Sequence, residues 1–298
     1  MGAVTSPQRT TTPASPYADS MTDAALIGPV DPPDLHVMTY NIRRRMAHVT
    51  PRSPDLWTRR RPHLQTLLQR EMPALLATQE GLPDQIEFVA QALGPDYRRI
   101  GRGRNADGDG ELCAIFYDTR RLALNGWNQR ALSDSPNVPG SRSWGNMLPR
   151  IVVSADLTDL ATGIRFSVFN AHFDHLSRSA RARSAMMIND LVEATDAPAV
   201  VLGDMNAGVR SAPYRILTGG LLRDAWTHTR NRLTPAWGTF SGYRRPKVGG
   251  KRIDWLLVTE SVTVEAVGIN AVRFRGAAAS DHEPVQARLS FEGSAGPG

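Results

Sequence analysis

Acids, amides and histidines recur in this chain at the ends of apolar runs, where a purely structural sequence would place ordinary turn formers. Asn41 follows the run 36–40, and Gln79 with Glu80 follows 75–78. Asn170, His172 and Asp174 close a third run, and Gly203, Asp204, Met205 and Asn206 end the apolar stretch 200–202. Asp254 stands between Ile253 and Trp255, and Ser280, Asp281 and His282 precede the last run. Taken singly, each has a plain structural reading. Gly-Asp-Met-Asn can be a turn, Ser-Asp-His a cap, Glu80 a solvated carboxylate before Gly81, and His172 a hydrogen-bonded structural histidine. Asp254 is less easily dismissed, because a carboxylate flanked by Ile253, Trp255 and Leu256 is buried and must find a partner. Acids, amides and histidines at successive strand ends together point to a reaction centre.

Carboxylates with amides and no cysteine among them favour a hard divalent ion, Mg²⁺ or Mn²⁺, held by oxygen. Glu80 is the leading candidate ligand. An ion facing a phosphoryl oxygen neutralises charge, while an aspartate held by an asparagine positions or deprotonates water, a role that fits Asp204 with Asn206. Two histidines then remain to hydrogen-bond charge developing on phosphorus, each needing an acid to fix its tautomer.

Strands are expected over 36–40, 75–78, 114–117, 151–157, 165–171, 199–203, 253–259 and 284–291. Phe166, Val168 and Asn170 alternate against Ser167, Phe169 and Ala171, whereas 199–202 is continuously apolar and suits burial on both faces. Helices fit between them. Trp57, Leu64, Leu67 and Leu68 form one face, Ile86, Val89, Ala90 and Leu93 another after Pro83, and Met187, Ile188, Leu191 and Val192 a third. The pattern implies an α/β (α+β) fold of mixed sheets covered by helices. Segments 133–149 and 234–251, rich in Gly, Pro, Arg and Trp, read as long functional loops.

Residues 1–33, dominated by Ser, Thr, Pro and Ala, are expected to form a disordered tail, 34–292 one catalytic domain, and 293–298 a loose end. The 298 residues carry a formal charge of +6, which favours a phosphate-bearing substrate, with nucleic acid among the open choices. The single cysteine, Cys113, excludes an intrachain disulfide and a cysteine-built zinc site, and its apolar setting reads as a small buried side chain. No run approaches the roughly 20 apolar residues of a membrane span. A cytoplasmic protein without stable membrane insertion, monomeric by default, is the expectation.

The set as a whole resembles the endonuclease/exonuclease/phosphatase (deoxyribonuclease-I-like) superfamily across roughly residues 34–290. Thr39-Tyr40-Asn41-Ile42 looks like its opening motif, Leu76-Ala77-Thr78-Gln79-Glu80 its metal-glutamate motif, and Asn170-Ala171-His172 its first histidine motif. Gly203-Asp204-Met205-Asn206, Arg252-Ile253-Asp254 and Ser280-Asp281-His282 follow in the family's order. The resemblance implies a four-layer α/β sandwich of two face-to-face mixed sheets flanked by helices. It also implies metal on Glu80 with Asn41 and Asp281 in support, water positioned by Asp204 and Asn206, and His282, oriented by Asp254, at the scissile phosphate opposite His172. Asn170 joins the catalytic set through its motif, and Glu111 is assigned by similarity as the acidic partner of His172.

A bacterial subgroup of uncertain substrate is the most similar, sharing Gly101-Arg102-Gly103-Arg104, Gly110-Glu111, Trp144 before Pro149-Arg150, and His172-Phe173-Asp174-His175. Arg43 stands where abasic-site enzymes of the family carry an acid, which argues against that activity and for one tightly bound metal. Arg43 either contacts phosphate or pairs with an acid such as Glu80 or Glu111. Arg150 and Arg252 are further candidates for substrate contact, Arg252 as the end of a cationic flap from Gly238. Nuclease, sphingomyelinase, inositol-phosphatase and catalytically silent nucleic-acid-binding readings all remain open on this sequence.

Overall fold

A computed structural model of the chain describes residues 24–291. In chain order these form β1 (Leu35–Asn41), α1 (Trp57–Glu71), β2 (Leu75–Gln79), α2 (Pro83–Leu93), β3 (Tyr97–Ile100), β4 (Ile115–Asp118), β5 (Leu122–Ala131), β6 (Ile151–Asp159) and β7 (Arg165–His172). There follow α3 (Arg178–Glu193), β8 (Ala199–Asp204), α4 (Ala212–Thr218), β9 (Leu222–Asp224), α5 (Ala225–His228), β10 (Asp254–Thr259), β11 (Val262–Ile269) and β12 (Val285–Phe291).

The strands form two six-stranded sheets, ordered β11-β12-β1-β2-β4-β3 and β5-β6-β7-β8-β10-β9. Each is antiparallel except for one central parallel pair, β1 with β2 and β7 with β8. Three apolar layers explain the stacking. Val37, Leu75, Ile115, Val168, Leu202 and Leu256 fill the space between the sheets. Met38, Leu64, Leu68, Ile86 and Phe116 join the first sheet to α1 and α2, and Phe169, Ala185, Ile188, Val201 and Trp255 join the second to α3. The chain is therefore the expected four-layer α/β sandwich.

Strands in a parallel pair finish at the same end of a sheet. Asn41 and Glu80 thus emerge together from one sheet, and His172 and Asp204 from the other, with His172 directly opposite Asp204 in register. Gly203 makes this approach feasible, since a Cβ there would lie 1.9 Å from the carbonyl oxygen of Ala171.

The eight expected strands are present with ends shifted by at most two residues, while β3, β5, β9, β11 and the short α4 and α5 were not foreseen. The expected loose tail is corrected over residues 24–33. Within it, the N–H groups of Leu26, Ile27 and Gly28 donate to the carboxylate of buried Glu71 at 2.8, 3.2 and 3.2 Å. Residues 1–23 and the expected C-terminal loose end lie outside the described residues. Among the described residues no helix is long and apolar enough to cross a membrane.

Candidate active site

At the junction of the four central strand ends, one amide links the two sheets. Asn41 Nδ2 donates to Glu80 Oε1 at 3.0 Å and to Asp204 Oδ2 at 2.9 Å. The Asn41 oxygen accepts from the Arg43 N–H at 3.0 Å, so this amide supports the two carboxylates through its nitrogen. Asn206, two residues beyond Asp204, returns its backbone N–H to Asp204 Oδ1 at 2.9 Å. Its side chain donates to the carbonyl of Phe173 at 3.0 Å and lies 3.1 Å from His172 Nε2. On the far side, Asp254 Oδ2 is 2.9 Å from His282 Nδ1, whose Nε2 is 3.8 Å from Asp204 Oδ2. Asp281 is buried beside them and touched by Arg43 Nε at 3.6 Å.

Three of the residues here, Arg43, Glu80 and Asn206, hold positive φ values of 56°, 64° and 47°. Non-glycine residues in that region carry strain of order 1–3 kcal/mol, sustained only where surrounding bonds over-determine the backbone.

Burial and neighbouring charge set the protonation states. Burial and the adjacent Asp254 raise the Asp204 carboxyl to about 7. For His282, burial disfavours the charge, but Asp254 and Asp204 outweigh it and push the imidazole up to about 10. His172 moves the opposite way, held well below its ordinary value by burial and by Arg150 and Arg104. Burial works against the Glu80 carboxylate too, yet the hydrogen bond from Asn41 and the charges of His282 and Arg43 keep it ionised. One histidine is thus poised as a cation and the other as a neutral ring.

Three expected roles are corrected. Glu111 does not orient His172; it forms a two-pronged ion pair with Arg104 at 2.7 and 3.0 Å, leaving His172 against the Asn206 amide. Asn170 is fully buried, accepts from Gln79 Nε2 at 2.8 Å and donates to the carbonyls of Thr78 and Ala114 at 3.0 Å each. It clasps one sheet to the other and does not face the cleft. Arg252 is turned inward, donating to Asp224 Oδ2 at 2.6 Å with its guanidinium 5.4 Å from the Trp226 ring centroid. Arg104 and Arg252 are thus each paired with a buried acid, Glu111 and Asp224.

Arg43 and Arg150 do line the cleft. Arg43 lies between Asp55, Glu80 and Asp281 at 3.1, 3.7 and 3.6 Å. Arg150 contacts Asp174 at 3.4 Å and His175 at 2.9 Å, with its Nη1 buried and unpartnered.

The model of the Endonuclease/Exonuclease/phosphatase family matches residues 38–282, spanning Met38 through His282 and every residue of this centre. The chain belongs to that family. Membership sets the reaction class: this is an enzyme acting on phosphoester bonds. Among solved structures, a family member from Bacteroides thetaiotaomicron is similar at 30% identity, with TM-score 0.80 over 87% of this chain and 95% of its own. A mannosyl-6-phosphatase of the same organism matches at 30% identity and TM-score 0.80, over 86% of this chain and 100% of its own. The human Nocturnin catalytic domain with bound sulfate shares the fold at 16% identity and TM-score 0.65, over 87% of this chain and 94% of its own. No curated protein matches the chain.

In this family member the donor chemistry suits a divalent cation. Ligand atoms of Glu80, His172 and Asp204 lie within 4.8 Å of one another, and the carboxyls of Asp204 and Asp281 are both raised, chiefly by burial and further by the neighbouring acids Asp254 and Glu80 respectively.

Two residues that the sequence did not single out also border the site. Arg60, 1% exposed, donates to the carbonyls of Ile42, Arg43, Asp55 and Ala279 at 2.9, 3.0, 3.1 and 3.2 Å, tying the loop after β1 to the approach of Asp281. A charged residue on the apolar stripe of Trp57, Leu64 and Leu68 was its signal. Phe240, 53% exposed, stands edge-on to His282 at 5.0 Å, in a loop whose irregular sequence gave no sign of it.

Proposed function

We propose that the chain is a divalent-metal-dependent phosphoesterase in which Asp204 and Asn206 position water for in-line attack, with a small phosphomonoester as its preferred substrate. The observation that carries the reading is the single amide nitrogen of Asn41 lying within 3.0 Å of both Glu80 and Asp204. It holds Glu80 and Asp204 side by side, which supports reading the first as a metal ligand and the second as the acid that positions water.

Asp204, with its proton affinity near neutrality, is suited to accept a proton from that water, and Asn206 is fixed by Phe173 and Asp204 to orient it. His282, cationic and held by Asp254, donates from Nε2 toward the phosphoryl oxygens, while neutral His172 faces them from the other side. Arg150 adds positive charge, as does Lys251, which has no ion-pair partner among the described residues. Glu80, with Asn41 and Asp281 in support, would hold Mg²⁺ or Mn²⁺, which when bound polarises the phosphoryl group and neutralises charge upon it.

Two features favour the monoester. The cleft is a pit of about 530 Å³, walled by Leu148 from one long loop and by Phe240 and Lys251 from the other, a size that suits a monosaccharide or nucleotide rather than a continuous duplex. One relative of 30% identity is a mannosyl-6-phosphatase. The test is a metal-by-substrate panel of sugar phosphates, nucleotides, an aryl diester, DNA and RNA. The highest kcat/KM is expected on a monoester. A diester turned over faster than every monoester would refute the preference, and no chelator-sensitive turnover at all would leave a catalytically silent scaffold.

A further inference from the structure

Asp55 lies in the loop between β1 and α1, and Tyr243 in the long loop 234–251. The Tyr243 hydroxyl donates to Asp55 Oδ1 at 2.6 Å. Asp55 in turn accepts from Arg43, Nη2 to Oδ2 at 3.1 Å and Nε to Oδ1 at 3.4 Å. That guanidinium also stands 3.7 Å from Glu80 Oε2 and 3.6 Å from Asp281 Oδ2. One cation is shared among three carboxylates, and among the described residues its side chain hydrogen-bonds only to Asp55.

The Arg43 backbone cannot adjust. Its N–H is held by Asn41 Oδ1 at 3.0 Å, and its carbonyl accepts from Arg60 Nη2 and Gln85 Nε2, each at 3.0 Å. Only the side chain is free to swing. Without the Asp55 charge, the remaining attraction draws it toward Glu80 and Asp281, and less than about 1 Å of travel converts those contacts into hydrogen bonds.

We propose that Asp55 is a positioning residue that holds Arg43 off Glu80 and Asp281, keeping their oxygens open to a divalent cation, and that Tyr243 locks Asp55 in place while pinning the 234–251 loop. The proposal rests on reading Glu80 and Asp281 as the metal-binding carboxylates. A guanidinium seated on them competes with the ion twice, by repulsion and by occupying lone pairs.

The test is calorimetric titration of Mn²⁺ into the full chain, native and substituted, with circular dichroism to establish folding. Asp55→Asn is expected to weaken Mn²⁺ binding about tenfold. Adding Arg43→Gln to Asp55→Asn is expected to restore most of the affinity, because the competing cation is gone; a purely structural role for Asp55 would show no such rescue. Tyr243→Phe removes one oxygen and carries the test should Asp55→Asn not fold. It is expected to weaken binding about threefold and to quicken tryptic cleavage after Arg244 and Lys247. Unchanged affinity in Asp55→Asn, no rescue in the double variant, or an unaltered Tyr243→Phe chain would overturn the proposal. A native chain that binds Mn²⁺ but ignores Asp55 overturns this inference alone, whereas one that binds no Mn²⁺ overturns the metal site as well.

Discussion

His282 Nδ1 lies 2.9 Å from Asp254 Oδ2, with both side chains buried. His172 has no such partner: its Nε2 faces the Asn206 amide at 3.1 Å and reaches a carboxylate only at 3.6 Å. The two histidines are therefore unequal, one a clamped cation and the other a neutral ring.

Asp254→Asn is expected to lower kcat at least about 100-fold with little change in Tm. Burial, which already disfavours charge on His282, would then be opposed chiefly by Asp204 and Asp281. A kcat within threefold of native, measured on a chromogenic phosphoester, would contradict the assigned role.

Asn170→Ala is expected to cost about 2 kcal/mol or more, because it strips a fully buried clasp and leaves Gln79 Nε2 and the Thr78 carbonyl short of partners. Denaturant unfolding measures the loss. Turnover well below Tm should stay within tenfold of native, and a larger loss in a stable variant would return Asn170 to the catalytic set.

Arg252→Ala should destabilise by about 3–5 kcal/mol, since it leaves buried Asp224 without its cation. KM for the preferred substrate should be unchanged. A raised KM with unaltered stability would show that Arg252 meets substrate after all.

Stability should also fall as the medium is acidified. Buried His36 donates from Nδ1 to the Gly28 carbonyl at 2.8 Å, and its Nε2 is unpartnered. Burial drives its imidazole down to about 4, against the pull of Glu71. The unfolded chain binds a proton at this site below about 6.5 while the folded chain does not, so stability present above that pH is lost between about 6.5 and 4. The slope reaches at most about 1.4 kcal/mol per pH unit. His36→Asn, which preserves a donor, should flatten that part of the profile, and an unaltered slope would contradict it.

The central strands and their polar ends were legible because a continuous apolar run that stops on an acid or amide, as at 199–206, fits little besides a buried strand delivering that group to a site. The edges were not. β5 carries Gly126 at a register shift and faces solvent along much of its length, so neither alternation nor continuous apolarity marks it. Charged residues misled for a related reason. Glu111 and Arg252 have the right types in the right motifs, but their partners Arg104 and Asp224 are chosen by packing, and Asp224 is far away in sequence. Arg60 and Asp55 escaped notice because the groups they hold are mostly backbone carbonyls and another arginine, contacts with no sequence pattern.

Whether this centre is a metal-dependent phosphoesterase is decided by turnover of a generic phosphomonoester by the native chain and by Asp204→Asn, each with Mg²⁺ and again after chelation. Chelator-sensitive hydrolysis is predicted for the native chain, falling at least about 1,000-fold in the folded variant. Equal turnover in the two proteins, with Tm unchanged, would contradict it.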